Sequence, residues 1–160
     1  MSSTTADALI VPNATAETVT LPHGGAFHLL AEAGDTAGAL SVNRLTLGPG
    51  ADGAAPHCHA RSAELFYILD GTMEFYLDGR STTVTAGSLI IVPPGMPHAF
   101  GAAPGSTADV LIVLGPGVDR FEYFRQLGRI RHGQAEFASL LPEQQRYDVY
   151  FVPGVTWRQS

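Results

Sequence analysis

Four side chains in this sequence have the types and the spacing to hold a metal ion. His57 and His59 stand two apart in a stretch leading into β structure, and extended backbone sends alternate side chains to one face, so both imidazoles aim at one point. Glu64 comes five residues after His59 and opens a strand in which Phe66 and Ile68 share its face. An odd spacing would place Glu64 opposite His59, so Ala60-Arg61-Ser62-Ala63 must contain a turn or bulge that resets the alternation. His98 follows a proline-rich turn and begins another strand. Three neutral imidazoles and one carboxylate suit one divalent first-row ion such as iron, manganese, nickel, cobalt or copper, and ligand type alone does not choose among them. Zinc fits as well, although structural zinc sites usually recruit several cysteines. The one cysteine, Cys58, points away from its two histidine neighbours if the strand is regular, and reads as a small buried hydrophobe.

The elements that position these residues are short. From Val19 to about Leu114, apolar segments alternate with turn signals, the pattern of an all-β sandwich or barrel. The expected strands are Ala26 to Ala31, Ala39 to Leu47, Ala63 to Leu69, Met73 to Leu77, Ser81 to Thr85, Ser88 to Val92, His98 to Ala102 and Asp109 to Leu114. Asp70-Gly71 and Asp78-Gly79 can each supply the positive φ angles of a tight hairpin. Pro93, Pro94 and Pro97 lack the N–H that a sheet ladder needs and mark a turn or rim. After Pro116-Gly117, Asp119 is placed to cap a helix from about Arg120 to Arg131 with Phe121, Phe124 and Leu127 on one stripe, and a second short helix is expected over Ala135 to Leu141. The division is therefore an N-terminal arm over 1–18, a barrel over 19–116 and a helical C-terminal extension over 117–160 packed on the barrel.

Composition narrows the function classes. The 160 residues suffice for one ordinary domain, 45% of them hydrophobic and 15% charged, which favours a globular core over disorder. A formal charge of −6 with scattered basic residues, apart from Arg125, Arg129 and Arg131, argues against a nucleic-acid surface. A single cysteine allows no intrachain disulfide. Met1 to Thr20 has neither the basic nor the apolar region of a signal peptide, and no apolar run is long enough to span a bilayer, so a cytoplasmic address without membrane partners is expected.

Two motifs resemble those of the cupin superfamily. In the first, a His-X-His pair is followed by Glu after three or four residues and by Gly after six more; here these are His57, His59, Glu64 and Gly71. In the second, Gly87, Pro93, Gly95 and His98 fall into place, with Ala102 where the pattern has Asn; Ala51 stands where Gly usually opens the first motif. The resemblance covers about residues 20 to 115 and implies a cupin (double-stranded β-helix, or jelly-roll) barrel. It also implies one metal ion on His57, His59, Glu64 and His98, and a homodimer paired through the arm or a barrel edge.

Within that superfamily, Ser62-Ala63-Glu64-Leu65-Phe66-Tyr67 and Gly115-Pro116-Gly117-Val118-Asp119-Arg120-Phe121-Glu122 look like single-domain cupins related to quercetin 2,3-dioxygenase. That likeness implies a metal-dependent dioxygenase. Glu64 would take the proton of a flavonol hydroxyl, and O2 would add across the ring with loss of carbon monoxide. The same parts would serve a cyclase or isomerase acting on a polyketide or other enolisable carbonyl, or a non-catalytic small-molecule binder. Phe66, Ile68, Phe75, Leu77 and Phe100 could line an apolar lumen, and plain core packing suits them equally. Arg61 and Ser62 sit in the turn between two ligands, where they could touch substrate or orient Glu64. His23, His28 and His132 have no partner spacing, and Trp157 with Tyr147, Tyr150 and Phe151 reads as packing for the tail.

Overall fold

The computed structural model describes residues 7–158. Expectations for residues 1–6 of the arm lie outside the described residues. Ten strands follow in chain order: β1 (Glu17–Thr20), β2 (Ala26–Ala31), β3 (Ser41–Leu47), β4 (Asp52–Cys58), β5 (Ala63–Leu77), β6 (Arg80–Thr85), β7 (Leu89–Val92), β8 (His98–Ala102), β9 (Ala108–Gly115) and β10 (Tyr150–Phe151). They pair antiparallel in the order β1-β2-β3-β9-β5-β8-β4-β10, with β6 and β7 also on β5. The result is the all-β barrel expected from the spacing of apolar segments.

One strand joins the two halves. The first part of β5 pairs with β9 and β7, and its second part with β6 and β8. The change of sheet falls at Asp70-Gly71, where the pairing with β9 slips between Ile68 and Asp70 and Gly71 adopts φ 79°. The hairpin expected there is thus a bulge within one continuous strand. Gly71 is needed twice over, because a Cβ would meet the Thr107 carbonyl oxygen and a positive φ resists any side chain. Asp78-Gly79 does turn as expected, with φ 47° and 93° between the paired Leu77 and Arg80.

Two further strands differ from expectation. β4 carries Gly53, Ala54, Ala55 and Pro56 and so lacks the β-branched signature of a strand, yet it pairs with β8 on one side and β10 on the other. β1 begins at Glu17, inside the expected arm, and pairs with β2.

The core fills the barrel with Phe27, Leu29, Leu45, Phe66, Ile68, Met73, Phe75, Val110 and Ile112, all buried. The barrel mouth is covered by α1 (Phe121–Arg131), which sets Tyr123 and Phe124 inward; the Phe124 ring lies 4.8 Å from that of Phe27. Asp119 does not cap this helix. Its carboxylate accepts from the Gly34 N–H at 2.8 Å, and Glu32 accepts the Phe121 N–H at 3.0 Å from across the fold. The second helix expected over Ala135 to Leu141 is a 3-10 segment, Phe137–Glu143, running into a single turn α2 (Gln144–Tyr147) that ends at Asp148 in the left-handed region. Pro142 explains the broken geometry, since it cannot donate to a regular α-helix. Among the described residues no helix is long and apolar enough to cross a membrane.

Candidate metal centre

β4 and β8 place two histidines face to face: His57 is paired with His98, their rings 4.2 Å apart between centroids. Alternation continues past the end of β4, so His59 returns to the inward face while Cys58 stays half-buried on the other. Burial pushes the Cys58 thiol up, with Asp148 adding to the effect, which leaves it a poor ligand at neutral pH. The reset demanded by the odd spacing occurs at Ala60-Arg61-Ser62. The Asp148 carboxylate accepts the N–H groups of Ala60 and Arg61 at 2.8 and 3.1 Å, and the Ser62 hydroxyl donates to the Pro116 carbonyl at 2.7 Å. β5 then leaves the turn with Glu64, Phe66 and Ile68 all inward.

The donor atoms of His57, His59, Glu64 and His98 lie within 4.8 Å of one another, and all four residues are buried. Each imidazole is oriented through its second nitrogen. Nδ1 of His57 lies 2.7 Å from the Ala55 carbonyl, Nδ1 of His59 lies 2.7 Å from the Asp148 carbonyl, and Nδ1 of His98 lies 2.9 Å from the Met96 carbonyl. A carbonyl can only accept, so Nδ1 carries the proton and Nε2 turns its lone pair to the centre, the tautomer that a metal ligand needs. Glu64 completes the set, with Oε1 3.0 Å from His98 Nε2 and Oε2 3.4 Å from His59 Nε2. His59 Nε2 is buried without a hydrogen-bond partner. An orphaned nitrogen among four convergent donors fits a divalent ion.

Electrostatics agrees with this fit. Burial holds the His57 imidazole well below its ordinary range, and His98 and His59 add to the effect, so it is neutral and able to ligate at neutral pH. Burial by itself would push the Glu64 carboxyl up, but its contacts with His59 and His98 outweigh it and hold the group well below the usual carboxylate range.

Of the residues expected to line a substrate lumen, one lies on the cavity that reaches this centre. That cavity, of about 30 Å³, is bounded by His57 and Glu64, by Phe100, and by Asn43, Arg120, Tyr123 and Phe124 among others. Phe66, Ile68 and Phe75 are fully buried in the core and do not line it, because the inward face of β5 below Glu64 is packed shut by aromatic contacts such as Phe66 on Phe100 at 5.0 Å. Leu77 packs against that core. Arg61 is exposed, and its backbone rather than its side chain is engaged. Three residues were missed from sequence. Arg120 is buried, with Nη2 3.7 Å from Glu64 Oε2. Asn43 is buried on β3, and Asp148 holds the ligand turn. Arg120, Phe124 and Leu127 keep helical spacing, so a charged residue in line with an apolar stripe was the available signal.

Residues 43–114 match the family described as cupin domain. That match spans just under half of the chain, and the barrel that contains it has the cupin fold. Among solved structures, an RmlC-like cupin from Shewanella frigidimarina is 21% identical with a TM-score of 0.60, over 72% of this chain and 96% of that one. The polyketide cyclase RemF from Streptomyces resistomycificus is 24% identical with a TM-score of 0.57, over 69% of this chain and 80% of that one. At these identities the likeness is one of fold. A germin-like protein, 9-2, of Oryza sativa subsp. japonica is 34% identical over 40% of this chain and 39% of that protein, so the match spans less than half the length of either.

Proposed function

We propose that this protein is a metal-dependent enzyme whose single divalent transition ion is held by His57, His59, Glu64 and His98, and that it cleaves a flavonol-like aromatic substrate with O2. The observation that carries the reading is the buried four-donor cluster with two of its members, His57 and Glu64, facing a cavity. A structural role alone would not require an opening on the ligand side. When bound, the ion supplies Lewis acidity toward a substrate oxygen and, if iron, nickel, manganese, cobalt or copper, a site for dioxygen chemistry.

The chain's own residues supply the remainder. Glu64 is ionised and is the group placed to accept the proton of a substrate hydroxyl in the cavity. Tyr123, Phe124 and Leu127 on α1 form an apolar cover that excludes water. Burial pushes the Tyr123 hydroxyl up to about 12, so it remains protonated and adds no charge to the cover. A cavity of about 30 Å³ admits a group of a few atoms, so a ring system enters only as α1 moves outward.

A second reading is a cyclase or isomerase acting on an enolisable carbonyl without O2, supported by the fold likeness to a polyketide cyclase. In either case a homodimer is the assembly we propose. The outer face carrying Tyr67, Leu69, Leu89 and Ile91 is apolar and exposed, a surface that a second copy would cover.

One experiment separates the two readings. Protein prepared without oxygen is loaded in turn with iron, nickel, manganese and cobalt, a flavonol is added, and oxygen uptake and carbon monoxide release are followed. The dioxygenase reading expects both with at least one metal; no uptake with any of them overturns it. Ring closure of a polyketide without oxygen consumption would establish the second reading.

A further inference from the structure

Asn43 and Arg120 face the metal centre with hydrogen-bonding capacity left over. Asn43 is 3% exposed and its Nδ2 has no partner; Arg120 is 5% exposed and its Nε has none. Both residues line the cavity that His57 and Glu64 also line. The fold holds Arg120 in place without satisfying it. Its guanidinium lies over the Phe124 ring at 5.1 Å, and its one close carboxylate, Glu64, is 3.7 Å away and already engaged by His59 and His98. Buried donors in this condition are rare in native structures unless a ligand or water completes them.

Charge points the same way. A divalent ion on three neutral imidazoles and one carboxylate leaves one net positive charge, and the guanidinium adds a second in a region shielded from water. The other carboxylates nearby are committed elsewhere. Asp148 is taken up by the Ala60 and Arg61 amides and Glu32 by the Phe121 amide, and neither lines the cavity. The loaded centre therefore favours an anion, and one with two acceptor sites: the ion for one oxygen, Arg120 with Asn43 for its neighbour.

We propose that Arg120 and Asn43 are substrate-binding donors that receive an anionic oxygen adjacent to the oxygen taken by the ion, making the ligand class a monoanion with oxygens on two neighbouring atoms, such as a deprotonated α-hydroxy ketone or a singly deprotonated enediol. This rests on the reading of His57, His59, Glu64 and His98 as a metal centre. It goes beyond that reading by fixing the charge and the oxygen spacing of the ligand, and it holds whether or not O2 is consumed.

The test uses the full chain loaded with cobalt(II), whose visible absorption reports its coordination. Acetohydroxamate serves as a small monoanion of this class, and imidazole as a neutral ligand of similar size. The parent protein is expected to bind both. Arg120→Gln and Asn43→Leu are each expected to weaken acetohydroxamate by about 10- to 100-fold, the range of a charge-assisted hydrogen bond, while cobalt content and imidazole affinity stay unchanged. Equal acetohydroxamate affinity in parent and variants, with cobalt retained, overturns the donor pair and leaves the metal centre standing. No cobalt uptake by the parent protein overturns both. Should Arg120→Gln fail to fold, Arg120→Lys keeps the charge without the planar fork, and an affinity equal to that of the parent overturns the role of the guanidinium.

Discussion

On the side of the centre formed by β4, β8 and the turn before β5, every imidazole has its second nitrogen on a backbone carbonyl, at 2.7 to 2.9 Å. On the side formed by β3 and α1, Asn43 Nδ2 and Arg120 Nε are as deeply buried and have nothing. The contrast follows from what each wall must meet. An ion of fixed size and charge can be anticipated in full, so the fold supplies every orienting bond in advance. A substrate comes and goes, and donors meant for it must stand unpaired between visits, at a cost in stability that packing elsewhere offsets.

The largest effect is expected where the anchored wall depends on one residue. Asp148 sits at φ 51°, takes two turn amides with its carboxylate and orients His59 with its carbonyl. Asp148→Ala leaves Ala60 and Arg61 N–H groups without acceptors and puts a Cβ with no compensating bond into left-handed backbone. Metal affinity, measured by competition with a chromophoric chelator, is expected to fall about 10- to 100-fold. Unchanged affinity would mean that the carbonyl anchors are incidental and would erase the difference between the walls.

Next comes the pH response of the metal-free protein. Burial, with His98 and His59 beside it, holds His57 well below its ordinary value of about 6.5. In the folded chain it stays neutral where the unfolded chain already takes up a proton. Its contribution is therefore fully present above about pH 6.5 and is lost as pH falls from there through the folded value. Glu64 has the same sign and adds its loss lower, below the ordinary carboxylate range. The urea midpoint of metal-free protein is expected to fall between pH 7 and 5, and His57→Gln is expected to flatten that fall. A midpoint already level in the parent would show the ring to be better solvated than its burial implies.

The difference between the walls also governs what could be read from the chain alone. The cluster of His57, His59, Glu64 and His98 was legible because a His-X-His pair, a glutamate and a third histidine are set among glycines and prolines whose backbone demands are themselves visible. The strands rich in Val, Ile, Leu and Phe were legible for the same local reason. β4 was not, because residues 50 to 56 are Gly, Ala, Asp and Pro, and its existence rests on pairing with β8 and β10. Asp70-Gly71 misled because a dipeptide with positive φ serves a bulge as well as a turn, and only the contact with Thr107 separates the two. The open wall left a fainter mark. Asn43 lies in the alternation Ser41, Asn43, Leu45, Leu47, every member buried, and Arg120 lines up with Phe124 and Leu127. A polar residue at a core-facing position was legible as an anomaly, but its meeting with Glu64 is a long-range fact of the fold.

Asn43 also gives the open wall a measurable cost. Asn43→Leu exchanges an amide lacking a partner for an apolar side chain of similar shape on a strand position facing the core. The metal-free variant is expected to gain about 1 kcal/mol, seen as a rise in Tm of about 2–4 °C, while losing affinity for a monoanion with neighbouring oxygens. A loss of stability would show that the amide is already satisfied, and the wall would be closed rather than waiting.

The smallest effect is expected on the outer surface of α1, and it decides what holds the open wall in place. Arg125 bridges Glu17 on β1 at 2.7 Å and Glu122 at 3.3 Å, and Arg129 also reaches Glu122, so the helix looks pinned by charge. These groups are more than a third exposed, however, and solvent screens such pairs heavily. The apolar side of the same helix is buried, with Phe124 on Phe27 and Tyr123 on Tyr147 at 5.3 Å. Arg125→Gln is therefore expected to change stability by less than about 1 kcal/mol and to leave anion binding at the cobalt-loaded centre unaffected by added salt beyond what the parent shows. If the variant instead bound the anion faster or more tightly, the ion pairs would be setting the position of α1. Arg120 would then be presented to the cavity by surface charge rather than by the packing of the residues beside it.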